Sequence, residues 1–399
     1  LLRTRADRAN YLLTNQARIV AMTCTHAALK RADLVRLGFR YDTVVMEEAA
    51  QVLDVESLIP LTLRRPVTAA GADAAAAREL KRLVLIGDHN QLPPVVRSGG
   101  LRAFANMDQS LFARLVRLGV PYVELNRQAR ARPSIADLYR FRYCDLGDLL
   151  PTVAHGAFAR PNAALAHDFQ FVDVGDFAGR GESDPVRHFY QNLGEAEYVV
   201  AVYQYLRLRG YPPDRIAILT TYNGQRALIR DVLERRCAWL PYFGRPAAVS
   251  TVDQFQGQQC DVVLLSLVRT RNVGHIRDLR RLTVALSRAR LGLYVFGRRA
   301  LFEPCFELHA PMQRLLANGD RLALCPDEGY GAPVPDCRTA TTVRDVEELG
   351  AIVYKMIEAH LAHEEVTADD PAEDPAEDDP ADDPADAESH DGASADAQT

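Results

Sequence analysis

The sequence predicts an α/β protein in which helices cover both faces of parallel β-sheets. Short apolar runs recur along the chain, and each is followed by a polar turn and then by a helical pattern. The chain has 399 residues, of which 48% are hydrophobic, and this is enough apolar material for two globular domains. We therefore expect two parallel-sheet domains, with a junction near residues 119–121.

Seven apolar runs have the length and composition of buried strands. They lie at residues 42–46, 82–87, 121–125, 215–220, 247–252, 261–268 and 291–297, and DFQFVDV at 168–174 is a further strand-like piece. Residues 194–210 predict a helix instead, because Val199, Tyr203 and Leu206 share a helical face and Gly210 supplies a stop signal. Residues 64–80 predict a surface loop that leads into a short helix.

The charges are distributed unevenly along the chain. Residues 367–399 contain thirteen acidic residues and no Lys or Arg, and such a segment cannot bury enough apolar surface to fold. We therefore predict a disordered acidic tail. The formal charge of the whole chain is −6, so the rest of the chain is net positive and suits a polyanionic partner. A solubilising tail on an ordinary enzyme explains the same charges equally well.

The cysteines and apolar runs indicate the cellular setting. The seven cysteines are scattered without a C-x-x-C pair, which favours reduced thiols in a cytosolic or nuclear protein and no zinc cluster. The apolar runs are far too short to span a membrane, and no secretory leader is visible. We expect a soluble intracellular protein, and the first residue, Leu1, suggests that the chain is a fragment.

Two adjacent carboxylates, Glu47 and Glu48, follow the apolar run at 42–46. Ligands of open α/β sheets lie beyond the carboxyl ends of the strands, which is where this pair falls. One carboxylate can hold Mg²⁺, and its neighbour can orient or deprotonate an attacking water in phosphoryl transfer. Taken alone, the pair is more often a solvated strand end than a site.

The next strand ends in GDHNQLPP at 87–94, which strengthens the functional interpretation. Gly87 permits a tight turn, and Asp88 and Gln91 present polar groups at the same edge of the sheet. An ordinary Asn/Pro turn would explain this segment alone. Two polar strand ends at one edge favour a shared nucleotide site.

Arginines cluster beside two of the later predicted strands. One cluster contains Arg130 and Arg132, together with Gln128, and the other contains Arg288 and Arg290. Arginine suits a γ-phosphate, because its planar donors bind oxygens in pairs and it stays charged. A single arginine is more often a surface charge, but two strand-adjacent clusters favour a phosphate site.

Two polar loops carry neutral donors at strand ends. One is the Gln-rich loop around Gly257, within 250–269, and the other lies in ILTTYNGQ at 218–225. Neutral hydroxyl and amide donors suit a phosphodiester backbone or a ribose without reading bases. Taken separately, each loop could be a hairpin or a turn.

Together, these segments resemble motifs II to VI of superfamily 1 helicases of the up-frameshift type. MEEAAQ is similar to motif II, GDHNQLPP to motif III, LNRQARARP to the Q-Y-R-containing motif, TVDQFQGQQCD to motif V and VALSRAR to motif VI. The resemblance implies two RecA-like domains of the P-loop NTPase type, the first incomplete, with ATP and Mg²⁺ as cofactors. It implies the end of a first motor domain at 1–119, a second motor domain at 120–310, an extension at 311–366 and the tail at 367–399.

The resemblance also implies roles for the matching residues. Glu48 would be the catalytic base, Glu47 the Mg²⁺-associated acid and Gln91 a γ-phosphate sensor. Arg130 and Arg288 would be arginine fingers. Further residues near the nucleotide would be Gly87, Asp88, Gln128, Gly257, Gln259 and Arg290. Residues that lie near RNA, or that couple RNA to the nucleotide, would be Thr221, Tyr222, Gln225, Thr251 and Gln256.

Three departures from the family pattern bear on activity. Glu47 replaces the usual Asp of motif II, and Gln259 replaces a Glu that is common in motif V, so a ribose or cation contact loses its charge. No G-x-x-x-x-G-K-[ST] segment occurs in the 399 residues, so the backbone nest and Lys that hold phosphates are absent from the chain. We therefore expect a C-terminal piece of a larger protein, inactive alone as an ATP hydrolase.

Within this branch, AMTCTHAALKRADLVRLGFRYD, FYQNLGEAEYVV and LVRTRNVGHIRDLRRL resemble segments of an intron-binding RNA helicase of the spliceosome. The resemblance implies an ATP-dependent RNA helicase or translocase of pre-mRNA splicing in the nucleus. Its partners would be single-stranded intron RNA and spliceosomal proteins, with no membrane. The alternative is an RNA-binding spliceosomal scaffold with a vestigial nucleotide site. A helicase–nuclease fusion is disfavoured, because no further acidic or cysteine cluster has metal-ligand spacing.

Overall fold

The computed structural model describes residues 4–63, 80–154, 156–335 and 337–368. The described residues up to Lys355 form one compact unit, and those from Met356 onward form a second. The first unit contains the parallel sheets. The second is the C-terminal part of the last helix.

The strands confirm the predicted α/β class. They are β1 Thr43–Met46, β2 Arg82–Leu85, β3 Arg127–Gln128, β4 Gly147–Asp148, β5 Phe169–Asp173, β6 Glu182–Ser183, β7 Gln191–Asn192, β8 Ile216–Thr220, β9 Ala248–Thr251, β10 Cys260–Ser266, β11 Ala289–Gly297, β12 Ala323–Leu324 and β13 Thr341–Thr342. The main sheet has five strands in the order β5-β11-β10-β8-β9, and all its neighbouring strands pair in parallel. β1 and β2 form a separate parallel pair.

Helices alternate with the strands. They are α1 Arg5–Tyr11, α2 Cys24–Leu29, α3 Arg31–Arg36, α4 Asp54–Leu61, α5 Gly99–Ala105, α6 Leu111–Arg117, α7 Pro133–Ala136, α8 Leu150–Ala154, α9 Leu193–Leu208, α10 Asn223–Cys237, α11 Leu279–Leu286, α12 Arg299–Phe302, α13 His309–Leu316 and α14 Val346–Ala368. Among the residues described, no helix is long and apolar enough to cross a membrane.

The main sheet forms where the sequence has its most continuous apolar runs. β10 lies in the centre of this sheet, and every one of its residues is buried. A strand covered on both faces needs apolar side chains at consecutive positions, which explains the run CDVVLLS. The predictions at 168–174, 215–220, 247–252, 261–268 and 291–297 coincide with β5, β8, β9, β10 and β11, and are confirmed.

Helix α9 begins and ends for identifiable reasons. The side chain of Asn192 accepts a hydrogen bond from the backbone N–H of Glu195 and caps the first turn. The helix ends at Leu208, and Gly210 follows in the left-handed region with a φ of 87°. The helix predicted at 194–210 is therefore confirmed, with a slightly earlier end.

Glu195 is a fully buried carboxyl in the first turn of α9. Its Oε2 accepts hydrogen bonds from Ser266 Oγ at 2.6 Å and from the backbone N–H of Val268 at 2.8 Å. Val268 has a φ of 75°, which strains a β-branched residue. Burial raises the pKa of Glu195 to about 8, against the opposing effect of these hydrogen bonds.

The raised pKa of Glu195 predicts a pH-dependent stability. The folded state holds a proton that the unfolded chain has already lost above the ordinary Glu pKa of about 4.3. The stabilising contribution is therefore full below that pH and is lost as the pH rises through about 8. Urea unfolding between pH 5 and pH 9 should show this decline, and Glu195→Gln should flatten it. The exposed-site control Glu234→Gln should keep the wild-type slope, and an equal slope in all three proteins would contradict the assignment.

The first sheet consists, within the described residues, of β1 and β2 alone. The two strands pair in register from Thr43 with Arg82 to Met46 with Leu85. The side chains of Val45 and Val84 are exposed, in contrast to those of β10. The incompleteness of the first domain stays a prediction.

The prediction of a strand at 121–125 is wrong, because the structure has no strand there. Val123 is 89% exposed and Leu125 is 86% exposed. Strand formation depends on pairing and packing partners as much as on apolar composition, and only the short β3 follows at Arg127–Gln128. Of the other predictions, the loop at 64–80 and the tail at 367–399 fall almost entirely outside the described residues. The domain boundaries stay predictions.

Candidate nucleotide-binding site

The turns after β1 and β2 are in direct contact. The backbone N–H of Ala49 donates to the carbonyl of Ile86 at 2.8 Å. A Cβ at Gly87 would lie 2.8 Å from the backbone nitrogen of Ala50, closer than a real Cβ approaches. Glycine at position 87 therefore allows the two turns to meet, as the sequence predicted for a tight turn.

Glu47 and Glu48 lie exposed at the end of β1. Glu48 adopts a left-handed backbone conformation with a φ of 50°, which is uncommon for a residue other than glycine. Its Oε2 accepts a hydrogen bond of 2.6 Å from Gln51 Nε2. Gly257 of the Gln-rich loop lies opposite, because a Cβ there would be 3.9 Å from Glu48 Oε1. Segments far apart in sequence therefore meet at this carboxylate.

The turn after β2 is organised by the Asp88 carboxylate. Its Oδ1 accepts from the backbone N–H of Asn90 at 2.9 Å, and its Oδ2 accepts from Gln91 Nε2 at 2.8 Å. The carboxylate therefore fixes both the turn and the orientation of the Gln91 side chain. Both of these hydrogen bonds are formed within the loop that carries Asp88.

Arg288 lies at the end of the turn between α11 and β11 and is only 1% exposed. Its Nε donates to the carbonyl of Val284 at 2.9 Å, and its Nη1 donates to the carbonyl of Gln258 at 3.1 Å. Its Nη2 reaches Gln91 Oε1 at 3.4 Å. Burial, together with the charge of nearby Arg130, lowers the pKa of Arg288 to about 10, so the side chain stays cationic at neutral pH.

Arg130 lies next to Arg288, on the turn that follows β3. Its Nε donates to Gln259 Oε1 at 3.0 Å, and its Nη1 donates to the carbonyl of Ser287 at 3.3 Å. The structure therefore brings together the two arginines that the sequence separates. Gln259, one of the departures from the family pattern, contacts Arg130 through a neutral amide.

Gln128 and Arg290 make contacts other than those expected for nucleotide binding. Gln128 Oε1 accepts from the backbone N–H of Arg130 at 2.9 Å, and its Nε2 donates to Asp148 Oδ1 at 2.7 Å. Gln128 thus shapes the turn that carries Arg130. Arg290 Nη1 donates to Asp261 Oδ1 at 2.5 Å. Contact of either side chain with a nucleotide stays a prediction.

Tyr222, predicted to lie near RNA, is buried after β8. Its hydroxyl accepts hydrogen bonds from the backbone N–H of His275 at 3.1 Å and from Arg269 Nη1 at 3.4 Å. Its ring packs against Tyr190 and His275. In this arrangement Tyr222 holds the segment around residue 275, and its ring is not open for stacking on a base.

The other residues predicted near RNA differ in whether the protein already occupies their hydrogen-bonding groups. Gln225 is fully buried and exchanges hydrogen bonds with the backbone of Asn192, so its amide is occupied by the protein. Thr251 Oγ1 accepts from the backbone of Gln254, and Thr221 Oγ1 donates to a backbone carbonyl. Gln256 differs, because both polar atoms of its amide are buried without a hydrogen-bond partner. An unpartnered amide carries a free-energy cost that a ligand or a rearrangement could remove.

Two contacts at the site were missed by sequence reasoning. The Tyr143 hydroxyl donates to Asp88 Oδ2 at 2.6 Å, and Arg142 Nη2 donates to Asn90 Oδ1 at 3.2 Å. The sequence contains the dipeptide Arg142-Tyr143, but no spacing relates it to the turn after β2. Only the fold brings the two segments together.

The side chains present fit part of an ATP–Mg²⁺ complex. Exposed carboxylates such as Glu47 offer the oxygen ligands that Mg²⁺ prefers. The cations of Arg130 and Arg288 suit the γ-phosphate. No G-x-x-x-x-G-K-[ST] segment occurs in the chain to cradle the other phosphates. The chain therefore fits the γ-phosphate side of the nucleotide.

Comparisons with known proteins agree with this fold. One family model described as an AAA domain matches residues 1–99, and a second with the same description matches residues 107–300. Together these matches cover most of the chain. The chain belongs to the up-frameshift branch of superfamily 1 helicases, which contain these AAA domains.

Among curated proteins, the chain is similar to RNA helicase aquarius of Mus musculus, with 52% identity over 89% of this chain and 24% of that protein. It is 30% identical to pre-mRNA-splicing factor cwf11 of Schizosaccharomyces pombe, over 83% of this chain and 25% of that protein. It is 31% identical to the regulator of nonsense transcripts 1 homolog of Arabidopsis thaliana, over 71% of this chain and 22% of that protein. The chain spans about a quarter of the length of these relatives.

A solved helicase structure, nonstructural protein 10 of an arterivirus, matches over 71% of this chain and 59% of that chain. The identity is 16% and the TM-score is 0.28.

Proposed function

We propose that residues 1–399 form part of the motor of an ATP-dependent RNA helicase or translocase that acts in pre-mRNA splicing. The observation that carries this proposal is the contact of Arg288 with Gln91 beside Glu48 and Arg130. This contact joins the turn after β2 to the turn before β11. Such an arrangement lets closure of the cleft assemble a site for phosphoryl transfer.

Each side chain has a chemical role in this proposal. Glu48 accepts the proton of the attacking water, and Glu47 binds Mg²⁺, which when present neutralises charge on the phosphate oxygens. Gln91 senses the γ-phosphate. Arg130 and Arg288 stabilise the negative charge that develops on the transferred group.

The proposed RNA substrate rests on the loops after β8 and β9 and on one relative. The proposed role in splicing rests on another relative. The threonine hydroxyls and the unpartnered Gln256 amide of these loops suit contacts to an RNA backbone without base reading, whereas Tyr222 and Gln225 are engaged by the protein. One relative is named an RNA helicase and another a pre-mRNA-splicing factor. We therefore propose single-stranded intron RNA as the substrate, spliceosomal proteins as partners and the nucleus as the location.

The second candidate is an RNA-binding spliceosomal scaffold with a vestigial nucleotide site. It is favoured by Glu47 in place of the usual Asp and by Gln259 in place of the Glu that is common in motif V. ATP turnover distinguishes the two candidates.

The experiment compares two proteins. One is the chain of residues 1–399, and the other carries a G-x-x-x-x-G-K-[ST] segment ahead of residue 1 and is called the loop-bearing form below. We expect negligible ATP turnover from residues 1–399, because no loop holds the β- and γ-phosphates, and RNA-stimulated turnover from the loop-bearing form. A loop-bearing form whose loop Lys is replaced by Ala is the matched control and should be inactive. Strong turnover by residues 1–399 would contradict the phosphate-loop argument, and an inactive loop-bearing form would favour the scaffold.

A further inference from the structure

Tyr143 reaches from the body of the main sheet to the turn after β2. It follows the short 3-10 turn Arg140–Arg142, and part of its ring packs against the main hydrophobic core. Its hydroxyl donates to Asp88 Oδ2 at 2.6 Å. We propose that Tyr143 is a positioning residue that, through Asp88, orients Gln91 for ATP hydrolysis; this inference rests on the proposed function.

The Asp88 carboxylate dictates which way the Gln91 amide points. An ionised carboxylate only accepts hydrogen bonds, so Gln91 must turn its NH₂ group toward Asp88 Oδ2, at 2.8 Å. The amide oxygen then faces the opposite way, toward Arg288 Nη2 at 3.4 Å. A carboxylate that is free to rotate would not impose this orientation. Tyr143 restrains this rotation by holding Oδ2, together with the backbone N–H of Asn90, which donates to Oδ1 at 2.9 Å.

Tyr143 remains a donor over the working pH range. Burial, reinforced by the negative charge of Asp88, raises the pKa of Tyr143 well above its ordinary value. The hydroxyl therefore keeps its proton. A hydrogen bond to a charged acceptor is stronger than one between neutral groups, so the contact is suited to fixing a side chain.

Two further contacts tie the same turn to the main-sheet body. Arg142 Nη2 donates to Asn90 Oδ1 at 3.2 Å, and Leu92 packs into the core cluster that contains residues of β10 and β11. The turn after β2 thus belongs to the first sheet by its backbone and to the main sheet by its side-chain contacts. A movement between the two sheets would change the position of Gln91 through Tyr143.

Hydrogen exchange of residues 1–399 tests the holding contact without any ligand. In Tyr143→Phe, the ring stays and the hydroxyl is lost, so we expect the amides of Asn90 and Gln91 to exchange several-fold faster. Tyr203→Phe is the matched control, because its buried hydroxyl also makes one hydrogen bond, to the carbonyl of Phe243 at 2.8 Å. The control should leave exchange at residues 87–92 unchanged. Equal exchange in Tyr143→Phe and the wild type would overturn the proposal.

Turnover of the loop-bearing form tests whether the contact acts through Gln91. We expect Tyr143→Phe to lower kcat about tenfold, as the loss of one charge-assisted hydrogen bond would, with the KM for ATP little changed. In a Gln91→Ala background the same substitution should have no further effect. An equal loss in both backgrounds would overturn the proposal. Absence of turnover in the unmodified loop-bearing form would contradict the proposed function itself, while hydrogen exchange would still decide whether Tyr143 holds the turn.

Discussion

Replacing Arg130 or Arg288 with alanine in the loop-bearing form should lower ATP turnover by about 10³- to 10⁵-fold, the effect of losing an arginine finger. Arg130 donates to the carbonyl of Ser287 beside Arg288, and Arg288 reaches Gln91. Removal of either cation leaves the developing charge on the γ-phosphate less stabilised. RNA binding without nucleotide should stay close to normal.

The measurement is steady-state ATP turnover at saturating RNA, with RNA affinity measured separately. Arg235→Ala, at an exposed position on α10, is the matched control and should leave turnover unchanged. The double variant of Arg130 and Arg288 should lose less than the sum of the two single effects, because groups that serve one transition state act as a unit. Near-normal turnover in both single variants would defeat the two-sided ATP site and favour the scaffold.

The main sheet was predictable because its central strands, β8 and β10, are buried on both faces. Complete burial requires consecutive apolar residues, and β10 has such a run. The run at 121–125 is also largely apolar, but its side chains are exposed and it forms no strand. The composition of a segment shows how much apolar surface it could bury. Pairing depends on a neighbouring backbone, which no local pattern reveals.

Part of the candidate site was predictable from the motifs, and part depended on the fold. The motifs identified Gln91 and Arg288, and the structure brings their side chains to within 3.4 Å. The partners that fix these residues could not be predicted, because the hydroxyl of Tyr143 meets Asp88 only after both segments have packed on the main sheet. For Tyr222, the motif predicts a position near RNA. In the structure, its hydroxyl instead accepts a hydrogen bond from the backbone N–H of His275.

Gln259 illustrates how one departure from a family pattern can change a neighbour. Its neutral amide accepts a hydrogen bond from Arg130 Nε at 3.0 Å. A carboxylate at this position would form an ion pair and hold the arginine more strongly. The amide therefore leaves Arg130 easier to release toward a phosphate, which is compatible with a working finger.

Replacing Glu48 with Gln in the loop-bearing form should lower ATP hydrolysis by about 10²- to 10⁴-fold, the usual contribution of a general base. Glutamine keeps the size of the side chain, and its amide oxygen can still accept the hydrogen bond from Gln51 that Glu48 Oε2 accepts at 2.6 Å. The exposed carboxylate would lose its capacity to take a proton while the turn after β1 keeps its shape. ATP binding should therefore be retained.

Single-turnover hydrolysis and equilibrium binding of a fluorescent ATP analogue separate these two effects of Glu48→Gln. Glu56→Gln, at an exposed position on α4, is the matched control and should preserve both. Glu47→Gln should act differently, because a carboxylate that binds Mg²⁺ supports nucleotide affinity at limiting metal. Its loss should be partly restored by raising the Mg²⁺ concentration, whereas the loss in Glu48→Gln should not respond. If Glu48→Gln hydrolysed ATP normally and Glu47→Gln abolished hydrolysis at every Mg²⁺ concentration, the roles of the two carboxylates would be the reverse of those proposed.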